Sequence, residues 1–138
     1  MTTSQVPEQL QQLQKLHEAQ QAEMQKVGEQ LGKLAENMSE YYRQKLENDM
    51  VLKELQILSD ESTVYKKVGP CLIKQDMYEA KSNVEKRVEY ISKELERIEQ
   101  QKQAAEEKRG KLAKAMDKVQ RDAEHFVKSM QAAQQGAE

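Results

Sequence analysis

A chain of 138 residues that is 33% charged, 37% hydrophobic and only 4% aromatic, with no Trp, holds too little apolar mass for a large globular core. Its formal net charge of −2 leaves no basic excess for phosphate binding, and no apolar run approaches the length of a membrane span. One cysteine, Cys71, permits no internal disulfide, and the opening Met-Thr-Thr-Ser-Gln carries neither a basic region nor an apolar run, so a soluble protein of a reducing, intracellular compartment is expected.

Pro7 is tolerated only in the first turn of a helix, so the first helix is expected from about residue 7 and continues to about 58. Steps of three and four from Leu10 trace a seam through Leu13, His17, Gln20, Met24, Val27, Leu31, Leu34, Met38, Tyr41, Lys45, Asn48, Leu52 and Leu55. A stripe of period about 3.5 sustained this long implies coiled-coil packing rather than an ordinary globular helix. The composition leaves few apolar residues off the seam, which argues against a bundle with a wider apolar face.

Ser59-Asp60-Glu61-Ser62 breaks the pattern. Thr63 to Val68 is β-branched and aromatic, Gly69-Pro70 punctuates, and Cys71-Leu72-Ile73-Lys74 resumes extended character, so a β-hairpin is expected over about 63–75. Cys71 reads there as a small buried apolar residue. Asp76 followed by Glu79 has the spacing of a capping box and starts a second helix over about 76–130, with a frayed tail at 131–138. Its seam reads Val84, Val88, Ile91, Leu95, Ile98, Lys102, Ala105, Arg109, Leu112, Met116, Val119, Ala123, Phe126 and Met130.

A hairpin reverses the chain within a few residues, so the helices return antiparallel. The expected fold is dominated by α structure in a single domain over 1–138: a long antiparallel coiled-coil hairpin whose two helices, each about 75 Å long, are joined by a short β-hairpin. This places Gly28 level with about Lys108 and Gly110 level with Met24 to Lys26, either as a soft joint or as tolerated surface glycines. An isolated two-stranded ribbon is marginal in water, yet this one carries Val64, Tyr65, Val68, Leu72 and Ile73 around Gly69-Pro70. It is expected to add edge to edge to hairpins of other chains until a sheet closes into an intermolecular β-barrel. At the free ends Leu10, Leu13 and Leu16, with Phe126, Val127 and Met130, exceed what one seam needs and suit weak attachment to unfolded chains.

Other chemistry is scarce. His17 and His125 lie near one another without an accompanying cysteine or carboxylate cluster, so a seam or solvated histidine is expected rather than a metal ligand. No phosphate loop, nucleophile motif or glycine-rich fingerprint is present, so neither an enzyme nor a cofactor is expected. An RNA-binding coiled-coil arm fails on charge: residues 8–58 carry nine acids and six bases, and residues 76–131 twelve acids and thirteen bases. A structural tether remains an alternative, but it needs no strand pair between its helices.

The run Val64-Tyr65-Lys66-Lys67-Val68-Gly69-Pro70-Cys71-Leu72-Ile73-Lys74-Gln75, followed by Glu85-Lys86-Arg87-Val88-Glu89-Tyr90-Ile91, resembles prefoldins of the beta type. The flanking helices match in length, so the likeness covers nearly the whole chain, although its specificity resides in the hairpin. The resemblance implies a cytoplasmic hexamer of alpha- and beta-type subunits whose hairpins build a double β-barrel platform. It further implies coiled-coil tips that hold unfolded proteins, notably actin and tubulin, and pass them without ATP to the cytosolic chaperonin. Lys67, where the family commonly has an apolar residue, and Cys71, where valine is common, depart from its pattern.

Overall fold

The computed structural model describes residues 6–136. In chain order these form helix α1 (Glu8–Ile57), strands β1 (Val64–Val68) and β2 (Cys71–Gln75), and helix α2 (Met77–Gln135). The carbonyl of Pro7 accepts the first helical bond of α1 from the Gln11 amide at 3.0 Å, so the ring sits where its missing N–H costs nothing. Asp76 caps α2 by accepting from the Glu79 amide at 3.3 Å, one half of the expected box. The tail departs from expectation: α2 continues through Gln135, because Gln131-Ala132-Ala133-Gln134-Gln135 are all good helix formers and the first breaker is Gly136. Residues 137 and 138 lie outside the described residues.

The chain divides into two compact units, one of residues 34–101 and one pairing the segment up to Lys33 with the segment from Lys102. In the first, Leu55, Ala80 and Val84 form a buried cluster flanked by Leu52, Val64, Met77 and Val88. These contacts run the helices antiparallel and extend the α2 seam backwards through Ala80 to Met77. Leu34, Ile91, Leu95 and Ile98 continue the buried line. Tyr41 is half-buried at the same seam. Its phenol is pushed above the usual range, first by desolvation and then by Tyr90 and Glu94, while Arg97 opposes them and pairs with Glu94 at 2.7 Å.

In the second unit the buried apolar residues are Val27, Ala105 and Val119, of which Val27 is fully enclosed. Glu23 and Lys108 join its two helices by an ion pair at 2.5 Å. Both helices run unbroken through Gly28, Gly32 and Gly110, and a Cβ built at any of the three meets no atom within 4 Å. Of the seam positions named from the sequence, Arg109 alone is exposed, a correction with a simple cause: a guanidinium with no acid to meet it stays in water rather than in an apolar seam.

Candidate functional surfaces

β1 and β2 pair antiparallel with Val64 opposite Gln75, Lys66 opposite Ile73, Val68 opposite Cys71, Tyr65 opposite Lys74 and Lys67 opposite Leu72. Residues paired across a ladder share a face, and alternate pairs point to opposite faces. One face therefore carries Val64, Val68, Cys71 and Ile73, and the other Tyr65 and Leu72. Gly69-Pro70 is a two-residue loop in which Gly69 has φ +57°. The pyrrolidine ring fixes a negative φ at Pro70, so a turn needing two positive φ values is excluded and a type II′ geometry with glycine first remains.

Val64 alone among the apolar residues of the strands reaches the helix cluster. Tyr65, Val68, Leu72 and Ile73 are 57%, 48%, 69% and 52% exposed, so apolar side chains lie open on both faces of the ribbon. Cys71 is exposed as well, contrary to the burial expected of it, because only the base of the hairpin touches the helices.

At the free ends, the six apolar residues singled out from the sequence divide into two groups. Leu10, Leu13, Phe126 and Met130 are half-buried and close the last layers of the seam, whereas Leu16 and Val127 are exposed at 48% and 38%. Two open grooves flank this end. One of about 490 Å³ is lined by Leu13, Leu16, His125 and Phe126 among others, and one of about 650 Å³ by Leu13, His17, Val119 and Ala123 among others. The two histidines thus line different grooves, and among the described residues no group of three His, Cys, Asp or Glu could hold a metal ion. His17 Nδ1 and Gln20 Oε1 are buried at successive seam positions without a hydrogen-bond partner among the described residues, which weakens this stretch of seam by about 1–3 kcal/mol for each unpaired group.

Off-seam positions near the hairpin are less polar than the composition suggested. Tyr42, Leu46, Met50, Val51 and Ile57 of α1, and Leu58 just after it, are all exposed. The spacing of four from Tyr42 to Leu46 to Met50 was the available signal, hidden by attention to the 3.5 period. No helix among the described residues is long and apolar enough to cross a membrane.

The prefoldin subunit family matches residues 18–123, a span that contains the whole hairpin and stops short of all six free-end residues. The chain is 43% identical over 95 residues to prefoldin subunit 6 of Arabidopsis thaliana, covering 69% of this chain and 74% of that one. It is 37% identical over 110 residues to prefoldin subunit 6 of Bos taurus, covering 73% and 84% respectively. Among solved structures, the prefoldin beta subunit from Thermococcus strain KS-1 superposes with a TM-score of 0.53 at 24% identity, over 85% of this chain and 96% of that one, and shows the shared fold.

Proposed function

Because the chain belongs to the prefoldin family, whose subunits are chaperones rather than enzymes and assemble with other prefoldin subunits, we propose that it serves in a hetero-hexamer as an ATP-independent holdase. In this reading Val64, Tyr65, Val68, Leu72 and Ile73 pack into a β-barrel closed by strands of alpha- and beta-type neighbours, with Gly69-Pro70 setting the turn. The free ends, through Leu10, Leu13, Leu16, Phe126, Val127 and Met130, hold unfolded chains such as actin and tubulin in the cytoplasm and release them to the cytosolic chaperonin.

The observation that carries the reading is the ribbon with apolar side chains open on both faces. Free in water, such a surface costs solubility and invites aggregation; closed among like ribbons it becomes a core. Holding of clients draws support from the open grooves and the unpaired polar atoms of the free ends, which make a locally loose apolar surface able to adapt to irregular partners.

The test uses Leu16→Ser with Val127→Ser, because both side chains are exposed and their loss leaves the seam intact. Contact through those exposed portions is worth about 1–3 kcal/mol, so affinity for an unfolded chain should fall about tenfold or more. The assay is suppression of aggregation of a denatured protein diluted into ATP-free buffer, with wild-type and variant hexamers at equal concentration. Equal protection by hexamers altered at the ends of every subunit would refute client capture there.

A further inference from the structure

On α1 and the residue that follows it, Tyr42, Leu46, Met50 and Leu58 stand in one row of steps of four, with Glu54 as its polar member and Ile57 beside it, and the five apolar side chains are 42–83% exposed. Each step of four advances about 40° around a helix, so the row leaves the seam at Met38 and winds across the outer face towards the hairpin. Rows of this kind are the ridges that interlock with a second helix. The coiled coil does not need them, since Tyr41, Lys45, Asn48, Leu52 and Leu55 already supply its seam here.

A face meant only for water should be charged, and α2 shows what that looks like in the same unit. Its outer positions Glu85, Lys86, Arg87, Glu89, Lys93 and Glu96 are exposed and charged, with Tyr78 and Tyr90 the exposed large apolar residues. The asymmetry singles out α1. Around the row stand Glu40, Glu47 and Asp49 against Arg43 and Lys53, with Arg43 bound to the two glutamates at 2.5 and 2.8 Å, so an apolar strip that itself includes Glu54 is bordered by acid in excess. Apolar centres with polar rims are the anatomy of protein interfaces. Ile57 and Leu58 end the row six residues before Val64 opens β1, so the ridge runs out at the base of the hairpin.

We infer that the α1 ridge is a second assembly contact, seating an apolar helix face with a basic rim from the adjacent prefoldin subunit. The inference rests on the hairpin reading, because the ridge's ending at the base of the hairpin is what assigns it to the same neighbour. Strand pairing then supplies a joint common to related hairpins, and the ridge distinguishes one neighbour from another by its apolar relief and its charge.

A photoreactive benzoylphenylalanine placed at Leu46 or Ile57 in the hexamer reassembled with its other subunits should, on irradiation, link to a different prefoldin subunit, with or without an unfolded client present. The same probe at Leu72 reports on the hairpin, and at Glu89 serves as the outward control. A product at Leu72 with none at Leu46 or Ile57 overturns the ridge and leaves the hairpin reading standing; no product at any of the three retires both. Products with client alone or with a second copy of this chain overturn the assignment of the occupant. In parallel, Leu46→Gln with Met50→Gln and Ile57→Gln should weaken hexamer formation at least tenfold while the helix signal of the free subunit stays unchanged, and unaltered dissociation on dilution would refute the contact.

Discussion

Val68 and Leu72 lie on opposite faces of the ribbon, so replacing both by Asp places a carboxylate in each of the two surfaces a barrel would bury. Tyr65, Val68, Leu72 and Ile73 retain 48–69% of their exposure in the free chain, and fully burying a large apolar side chain is worth about 1.5–3 kcal/mol. Closing a barrel over those four is therefore worth about 3–7 kcal/mol. The double variant removes about half of that and adds the desolvation of two carboxylates, at several kcal/mol more unless cations meet them. At about 1.4 kcal/mol per tenfold, affinity for the hexamer should fall by at least about a thousandfold. The free subunit should barely notice, because both positions are already in water and the buried cluster beneath involves Val64 alone among the strand residues. Sedimentation of the variant mixed with its partner subunits, over a dilution series beside wild type, measures the loss, and circular dichroism checks that helix content survives. Entry into the hexamer at wild-type concentrations would refute the placement of the hairpin in a buried platform.

Gly28→Ala with Gly110→Ala should stabilise the chain by about 1–2 kcal/mol, since both sites are helical with open space for a methyl group; a denaturation midpoint no higher than wild type would count against it. Gly69→Ala should cost about 1–2 kcal/mol through φ +57° alone, since no atom crowds the new methyl, and hydrogen exchange over residues 64–75 should quicken while that of the helices does not. The hydrogen bond and charge of Lys108 hold the Glu23 carboxyl below its ordinary value of 4.5, so the pair stabilises the chain above that pH and its contribution is lost as pH falls through the depressed value. Lys108→Met should return the Glu23 titration, followed by NMR, towards 4.5, and an unmoved curve would remove the pair from the account.

Seam, hairpin and chain reversal were legible because each is written in local chemistry: a 3.5 period, a Gly-Pro between β-branched runs, an Asp three residues before a Glu. Arg109 shows where a period alone fails. Its position belongs to the seam, but a long charged side chain turns outwards at little cost, and no heptad count registers that. The end of α2 was misplaced for a related reason, since a polar, small-residue tail resembles a frayed one although Ala and Gln propagate a helix well.

The α1 ridge was missed because it obeys a different period from the seam on the same helix. A step of four drifts about 40° per repeat and a 3.5 repeat hardly at all, so a residue such as Leu46 looks like noise when the seam is counted and like signal only when its exposure is known. The same argument orders the surfaces by the partner each can serve. Between the free ends the seam consumes its apolar residues within the chain and leaves none for a partner. The hairpin and ridge present apolar residues on paired strands and an unbroken helix, a regular relief that suits a fixed neighbour recognised by shape. The free ends present theirs on a seam interrupted by His17 and Gln20, whose buried unpaired atoms lower the cost of local opening and suit partners that have no fixed shape.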